Sequence, residues 1–344
     1  MTTKLLTSSD EDIALAGRLL ADGELVGIPT ETVYGLAANA LDGHAVANIF
    51  KAKGRPADNP LIVHISKLEQ LAPLVREIPE DAISLAAEYW PGPLTMIMPA
   101  SDIIPREVTA GLDTVAVRFP SHEVARRIID AAGVPLAAPS ANTSGKPSPT
   151  TAAHVMHDMD GRIAAVVDGG ECSFGVESTV LTLCGEHPVL LRPGAVTPEM
   201  IRAVTGSLEI NHAVLEQMDE GETAASPGMK YKHYATDTDI RLILGSFEKY
   251  LEYCRDNADP DCWAMCFAGE GERICSALGA NMKYIEYGRE DDLLSQARDV
   301  FGALRQLDEL GAKRAFVRCC EPEGVGLAVY NRLIRSAGFN VVRL

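Results

Sequence analysis

The sequence lacks the patterns that mark several large classes of protein. No apolar run approaches the ~20 residues that a membrane-spanning helix needs, and the N-terminal stretch MTTKLLTSSDED has no apolar core of the kind found in signal peptides. Neither a Walker A sequence nor a G-x-G-x-x-G is present, so neither a P-loop NTPase nor a dinucleotide-binding fold is indicated. We therefore expect a cytoplasmic protein without a membrane partner.

The cysteines do not form a metal-binding pattern. None of the eight lies in a C-x-x-C pair, and the C-x3-C of Cys262 and Cys266 has no second pair or histidine to complete a tetrahedral zinc set. His154, His157 and Asp158 form a lone H-x-x-H-D, which is more typical of a solvated helix face. We expect buried, reduced thiols and no metal ion held by protein side chains.

Positive charge is scarce overall but locally concentrated. The net charge of −17 argues against nucleic-acid binding through a global field, and residues 1–236 contain 17 Lys and Arg against 30 Asp and Glu. Eight of these cations lie in glycine- and proline-rich segments: Lys51, Lys53, Arg55, Arg118, Lys146, Arg192, Lys230 and Lys232. A local basic site on an acidic body indicates a small anionic ligand.

The densest basic stretch is FKAKGRPADNPLIVHI, residues 50–65. It predicts a helix that ends at the cations, a loop at Gly54 and Pro56, and a buried strand over 61–65 that His64 interrupts. Lysine and arginine at such a loop suit a polyphosphate. The alternative is that these cations only complement the dipole of the helix end.

Two further segments carry polar groups beside predicted strands. A strand over 24–28 runs into PTETVYGLAANA, residues 29–40, whose hydroxyl groups either form a ligand-binding loop or cap the next turn. Arg118 lies inside the apolar strand DTVAVRF, residues 113–119, and must meet an anion there. That anion is either a ligand or an internal carboxylate. PLAAPSAN, residues 135–142, is predicted as another strand.

The length of 344 residues predicts two domains. Residues 211–225 are polar and acidic, as in a linker, and SPGMKYKHYAT, residues 226–236, has the tyrosines and cations suited to covering a nucleotide. Beyond 237, strands and helices alternate, which implies a parallel sheet with helices on its faces. We predict a first domain over 1–208, a linker over 209–238 that would act as a lid, and a C-terminal domain over 239–344.

Eight ordered segments together resemble the YrdC-type threonylcarbamoyl-AMP synthase family, in its long form with a C-terminal Rossmann-like domain. They are PTETVYGL (29–36), KGRPADNPLIVHI (53–65), PGPLT (91–95), VAVRFP (115–120), PSANTSGKPSPT (139–150), GVESTV (175–180), LRPGAV (191–196) and SPGMKYKHYA (226–235). The last segment departs slightly from the family pattern, with Lys232 where Arg is common and Thr236 where Pro is common.

The resemblance implies an α/β protein, with a YrdC-like twisted open mixed sheet and a smaller Rossmann-like parallel domain. It implies a nucleotidyltransferase that converts L-threonine, bicarbonate and ATP, with Mg2+ accompanying ATP, into threonylcarbamoyl-AMP and pyrophosphate. Downstream threonylcarbamoyl transferase proteins would use the product to make N6-threonylcarbamoyladenosine in tRNA, and no strong direct nucleic-acid binding is expected. The sequence shows no activated nucleophile or general base, and positioning with charge stabilisation can carry such a transfer.

The resemblance also implies roles for individual residues. The K-x-R and S-x-N pairs would be catalytic: Lys53, Arg55, Ser140 and Asn142. Lys53 and Asn142 would also contact ATP, whose other ligands would be Arg55, Asn59, Thr114, Ser140, Ser148, Arg192 and Tyr234. Threonine would be bound by Thr32, His64, Arg118, Ala138 through its backbone, and Ser178, with Arg118 taking the carboxylate.

Two alternatives share this basic site. One is a non-catalytic nucleotide- or RNA-binding module of the same fold, which the net charge and the lid-like segment disfavour. The other is carbamoyl adenylation for a different pathway, which would need no threonine pocket.

Overall fold

In the computed structural model of the protein, the described residues are 2–217, 234–279 and 282–344. They group into two compact units. The first contains the described residues of 2–144, 148–173 and 177–217, and the second contains 145–147, 174–176 and those from 234 onward. Two three-residue pieces of the earlier chain thus belong to the second unit. The predicted domain boundaries after residues 208 and 238 remain predictions.

The first unit is built on an eleven-stranded mixed sheet. Its strands are β1 (Lys4–Leu6), β2 (Val26–Ile28), β3 (Gly35–Asn39), β4 (Ile62–His64), β5 (Leu94–Pro99), β6 (Thr114–Arg118), β7 (Leu136–Ala137), β8 (Ala165–Val167), β9 (Thr179–Thr182), β10 (Val189–Arg192) and β11 (Glu209–Ile210). Their order is β1-β8-β2-β3-β7-β4-β6-β5-β9-β10-β11. Because β4 pairs parallel with β6 but antiparallel with β7, the predicted open mixed sheet is confirmed.

Helices of the first unit pack on this sheet. They are α1 (Asp10–Ala21), α2 (Gly43–Lys53), α3 (Glu80–Tyr89), α4 (Arg106–Thr109), α5 (Glu123–Ala132), α6 (Ala152–Met159) and α7 (Pro198–Thr205). The side chain of Ser9 accepts a hydrogen bond from the Asp12 amide and caps α1. Apolar residues of α1 at helical spacing, Ile13, Ala16 and Leu20, pack in the core with strand residues of β2 and β8.

The second unit is a five-stranded parallel sheet, which confirms the prediction made from strand–helix alternation. The strands are β12 (Asp239–Leu244), β13 (Cys262–Cys266), β14 (Lys283–Glu286), β15 (Arg314–Cys319) and β16 (Val341–Arg343), in the order β14-β13-β15-β12-β16. The helices are α8 (Phe247–Asn257), α9 (Gly271–Leu278), α10 (Leu293–Glu309) and α11 (Gly326–Ser336).

Two expectations need correction. The strand predicted over 135–142 is only Leu136–Ala137, because Pro139 cannot donate to a ladder and the residues after it use side-chain hydrogen bonds instead. The expectation of buried thiols is wrong for Cys184, which is exposed, and for Cys275 and Cys320, which are half-buried.

The remaining cysteines are buried. Three of them, Cys254, Cys262 and Cys266, lie in the core of the second unit. Among the described residues there is no group of three or more His, Cys, Asp or Glu arranged to hold a metal ion. Nor does any helix there combine the length and apolar character needed to cross a membrane.

Candidate active site

Lys53 joins the two signature pairs. It lies in the last turn of α2, which ends where Gly54 adopts a left-handed conformation with φ of 62°. Lys53 is 2% exposed, and its ammonium donates to the carbonyl oxygens of Ser140 at 2.5 Å and Asn142 at 2.6 Å. The Ser140 hydroxyl in turn donates to Asn142 Oδ1 at 2.5 Å. Residues almost ninety positions apart thus form one polar cluster around a buried cation.

Arg55 lies just beyond this cluster. Its Nη2 donates to the carbonyl oxygen of Asn59 at 3.2 Å, and its guanidinium carbon lies 5.8 Å from the centre of the Phe50 ring. Asn59 is fully buried at the approach to β4. The loop between α2 and β4 therefore holds Arg55 by a backbone contact.

A second polar cluster forms where the parallel strands β4 and β6 end. His64 of β4 is paired with Arg118 of β6, which is paired with Thr95 of β5. Side chains at paired positions share one face of a sheet, so these three lie side by side. The carboxyl ends of parallel strands are a common place for ligands in open α/β sheets. The Thr95 hydroxyl is hydrogen-bonded to the Ser178 hydroxyl at 2.7 Å, which adds the segment before β9.

Arg118 has an internal carboxylate partner. Its Nη2 lies 2.8 Å from Oε1 of Glu31, and both side chains are nearly fully buried. Its Nη1 donates to the Thr32 hydroxyl at 2.8 Å, and its Nε donates to the Gly92 carbonyl at 3.4 Å. The structure therefore contains the internal anion that was one of the two alternatives for Arg118, and a ligand carboxylate would share the arginine with Glu31.

The charges of this cluster follow from burial and proximity. Burial alone would raise the pKa of the Glu31 carboxyl, but the charge and hydrogen bonding of Arg118 and the Ser121 amide bring that pKa below its ordinary value. Burial and the Arg118 charge lower the pKa of His64 to about 3. His64 is thus a neutral ring, with Nδ1 at 3.1 Å from the Ile62 carbonyl, while Glu31 is ionised.

Arg192 meets Ser178 directly. The Arg192 Nε donates to the Ser178 carbonyl at 3.0 Å, and its Nη2 donates to the Ser178 hydroxyl at 3.1 Å. The following loop approaches this segment so closely that a Cβ on Gly194 would lie 2.4 Å from the Thr179 amide nitrogen. A residue assigned to ATP and a residue assigned to threonine are therefore in contact, and only glycine permits the approach at 194.

Three further assigned residues lie around these clusters. The Ser148 hydroxyl donates to Oε1 of Glu177 at 2.5 Å, and the Ala138 amide donates to the Ile62 carbonyl at 2.9 Å, beside β4. Thr114 begins β6, four residues before Arg118. The side chains of Thr114 and Arg118 therefore project from the same face of the sheet, about 13 Å apart. That separation is on the scale of an extended ligand rather than of one small group.

Tyr234 is described within the second unit. It is buried, has φ of 59°, and its ring centre lies 5.0 Å from that of Phe301 and 5.9 Å from the Arg332 guanidinium. Lys230 and Lys232, like the rest of 226–233, lie outside the described residues. The predicted lid therefore stays a prediction.

Lys146 belongs to a different arrangement from the other cations. Its ammonium pairs with Asp237 at 2.8 Å and with Asp308 at 3.5 Å, within the second unit. Lys146 thus has acidic partners of its own within the second unit.

Sequence reasoning missed two acidic residues, Glu31 and Glu177. A carboxylate repels an anionic ligand and is not expected in a site that binds anions. Only the position of Glu31 in a hydroxyl-rich segment and of Glu177 beside an apolar strand could have indicated that they belong to the site. In the structure both are buried and hydrogen-bonded to assigned residues or their neighbours.

Comparison with known proteins gives two family matches. The Sua5, YciO and YrdC family model, described as "Telomere recombination", matches residues 18–194. A model described as "Threonylcarbamoyl-AMP synthase, C-terminal domain" matches residues 196–338.

Individual relatives match along almost the whole chain. A protein of Pyrococcus abyssi named threonylcarbamoyl-AMP synthase is 45% identical over 333 residues, covering 96% of both chains. One of the same name from Bacillus subtilis is 44% identical, covering 99% of this chain and 97% of the relative. The crystal structure of P. abyssi Sua5 complexed with L-threonine is 42% identical and superposes with a TM-score of 0.90, covering all of both chains.

Proposed function

The chain belongs to the threonylcarbamoyl-AMP synthase family in its long form, and on that premise we propose that it is an L-threonylcarbamoyladenylate synthase. This nucleotidyltransferase takes L-threonine, bicarbonate and ATP and releases threonylcarbamoyl-AMP and pyrophosphate. Its product would serve the transferases that modify an adenosine beside the anticodon of tRNA. We place the reaction in the cytoplasm.

The contact between Ser178 and Arg192 carries the proposal. The reaction requires the carbamate of threonine to lie against the α-phosphorus of ATP, so its amino-acid and nucleotide subsites must touch. Ser178 is hydrogen-bonded to Thr95 in the row that contains Arg118, and it also accepts from Arg192. One serine thus links the side chains proposed for threonine with an arginine proposed for phosphate.

The proposed chemistry places few demands on the protein. The threonine amine takes up CO2 from bicarbonate, which releases water and gives a carbamate. A carbamate oxygen then forms a bond to the α-phosphorus as the bond to pyrophosphate breaks. Lys53, Arg55 and Arg192 supply positive charge around the phosphates, and their protein contacts hold them before ATP binds.

ATP would be used as its Mg2+ complex. Glu31 and Glu177, the buried carboxylates near the proposed site, are engaged with Arg118 and Ser148, and the described residues contain no cluster of metal ligands. The donor set therefore does not form a resident magnesium site, and the ion would be held by the phosphates.

Pyrophosphate release tests the proposed function. With purified full-length protein and ATP, release should require threonine and bicarbonate together, and omission of either should abolish it. Serine lacks one methyl group, a contact worth about 1–3 kcal/mol, so serine should support release about 10- to 200-fold less efficiently. Equal release without an amino acid would contradict the proposal, while nucleotide binding without any turnover would favour the non-catalytic module.

A further inference from the structure

The buried ion pair between Glu31 and Arg118 is incompletely matched. The two side chains are in contact through Oε1 and Nη2, at 2.8 Å. Yet Glu31 Oε2 is buried without a hydrogen-bond partner among the described residues, and Arg118 Nη2, which carries two N–H groups, is also buried and has only the contact to Oε1 there. Unsatisfied buried polar atoms are rare in native proteins because each forfeits its hydration. One unfilled acceptor and one unfilled donor thus lie next to each other.

The other atoms of the pair are occupied. Glu31 Oε1 accepts from the Ser121 amide at 3.1 Å. Arg118 Nη1 and Nε donate to the Thr32 hydroxyl and the Gly92 carbonyl. These contacts hold both side chains in place. The site is preorganised around a missing donor for Glu31 and a missing acceptor for Arg118.

Neighbouring groups do not change these charges. His122 and Cys172 also face Glu31. Burial lowers the pKa of the His122 ring and raises the pKa of the Cys172 thiol to about 12, so both are neutral near pH 7. The pKa of the Glu31 carboxyl itself lies below its ordinary value because the effect of Arg118 and the hydrogen bonds exceeds that of burial. The unfilled acceptor therefore belongs to a carboxylate and the unfilled donor to a guanidinium.

A zwitterionic α-amino acid has the complementary pair of groups. Its carboxylate can accept from Arg118 and its ammonium can donate to Glu31, so that both buried atoms are satisfied by one molecule. We propose that Glu31 binds the ammonium group of the amino-acid substrate and fixes its nitrogen. That nitrogen becomes the carbamate nitrogen after the ammonium gives one proton to bicarbonate, which breaks down to CO2 and water, and the amine adds CO2 and releases a second proton to solvent. This inference rests on the proposed function. It makes Glu31 the residue that selects amino acids over hydroxy acids.

Binding of matched ligands tests the role of Glu31. The probes are L-threonine and (2S,3R)-2,3-dihydroxybutanoate, in which a hydroxyl group replaces the amino group at the same configuration. Calorimetric titration of the full-length protein without ATP should show that threonine binds on the order of ten- to a hundredfold more tightly. In Glu31→Gln, threonine binding should weaken by a similar factor while binding of the dihydroxy acid changes little, so the ratio falls toward one.

Two controls accompany these titrations. Glu171→Gln removes the same charge from an exposed residue and should keep the wild-type ratio. Circular dichroism and thermal unfolding establish that Glu31→Gln is folded. The wild-type ratio is the first test, because a protein that binds the ammonium group through a carboxylate must discriminate between the two probes.

Each failure has a distinct signature. Equal affinity of the wild-type protein for the two probes overturns the proposal, whatever the variant does. An unchanged ratio in folded Glu31→Gln also overturns it and leaves Glu31 as a structural partner of Arg118, with the proposed synthase function intact. If the wild-type protein binds neither probe and makes no threonylcarbamoyl-AMP, the synthase proposal and this inference fail together.

Discussion

Single residues in the candidate site illustrate how buried charges are arranged in pairs. The Arg118 guanidinium can occupy a nearly inaccessible position in β6 because Glu31 lies beside it, and the Lys53 ammonium is buried because two backbone carbonyls accept from it. Each cation thus depends on a group that lies far from it along the chain. Substitution at these positions should therefore affect both ligand binding and stability, and the two effects must be separated.

Arg118→Ala should chiefly raise the apparent KM for threonine, whereas Arg55→Ala and Arg192→Ala should weaken the use of ATP. A lost charge-assisted contact is worth about 1.5–3 kcal/mol, or ten- to a hundredfold. Separate titrations of each variant with ATP and threonine measure this.

Arg118→Ala also leaves Glu31 buried without its cation and should lower stability. Thermal unfolding and circular dichroism of Arg118→Ala separate that loss of stability from the change in KM. Unchanged threonine dependence in a folded Arg118→Ala variant would assign Arg118 a purely structural role.

His64 should make the protein less stable as the pH falls. Its pKa is lowered to about 3 in the folded state from an ordinary value near 6.5. Between these two pH values the His64 ring is protonated in the unfolded chain and neutral in the folded protein. The free energy of unfolding is therefore unaffected by His64 above pH 6.5 and falls as the pH decreases from 6.5 to about 3, by up to about 1.4 kcal/mol per pH unit.

Urea unfolding of the first unit at several pH values measures this dependence. His64→Gln should flatten the dependence between pH 6.5 and 4, while substitution of the exposed His44 by Gln should leave it unchanged. Equal slopes for wild-type protein and His64→Gln would refute the assignment.

At the scale of elements, local signals predicted most of the fold. The alternation after residue 237 corresponds to the parallel sheet of the second unit, and the helix end predicted in 50–65 corresponds to α2, which ends at Lys53. The failure at residues 135–142 arose because Ser140 and Asn142 satisfy each other through side chains, which a strand pattern cannot show.

The site depends on contacts that no local pattern contains. Family motifs named Lys53 and Asn142, and Ser178 and Arg192, but only the folded chain shows that each pair touches. Glu31 went unrecognised because its role depends on a partner 87 positions away. Periodicity predicts which face of an element is buried, whereas the meeting of buried charges is decided by the strand order.

The cap of α1 gives a test at this scale. Ser9→Ala removes the side-chain oxygen that accepts from the Asp12 amide at 3.3 Å and should cost about 1 kcal/mol, within a range of about 0.5–2. Urea unfolding of the first unit measures it. Ser8→Ala is the matched control, because Ser8 is adjacent to the cap but does not occupy it. Equal midpoints for the two variants would show that the cap adds nothing measurable.

At the scale of the whole molecule, the proposed chemistry lies in the first unit. His64, Arg118 and Arg192 lie in its mixed sheet, Ser178 lies just before β9, and Lys53 ends α2. The second unit has its own parallel sheet and its own core. Of the residues assigned to ATP, Tyr234 belongs to the second unit. The first unit therefore has a sheet and core of its own, while Tyr234, which is predicted to contact the nucleotide, belongs to the second unit.

Truncation tests what the first unit does alone. A chain that ends at Ala225 should keep its secondary structure, since its strands and core residues are its own, but should have little synthase activity if 226–236 forms the predicted lid. A site without the cations of that segment and without Tyr234 would admit water and lose contacts to the nucleotide.

A chain extended to Thr236 but without the second sheet should regain part of the activity where the segment docks unaided. Circular dichroism must first show that each truncated chain is folded, and threonylcarbamoyl-AMP formation is then compared with that of the full chain. A folded chain ending at Ala225 that works at the full-length rate would mean that 226–236 only tethers the two units.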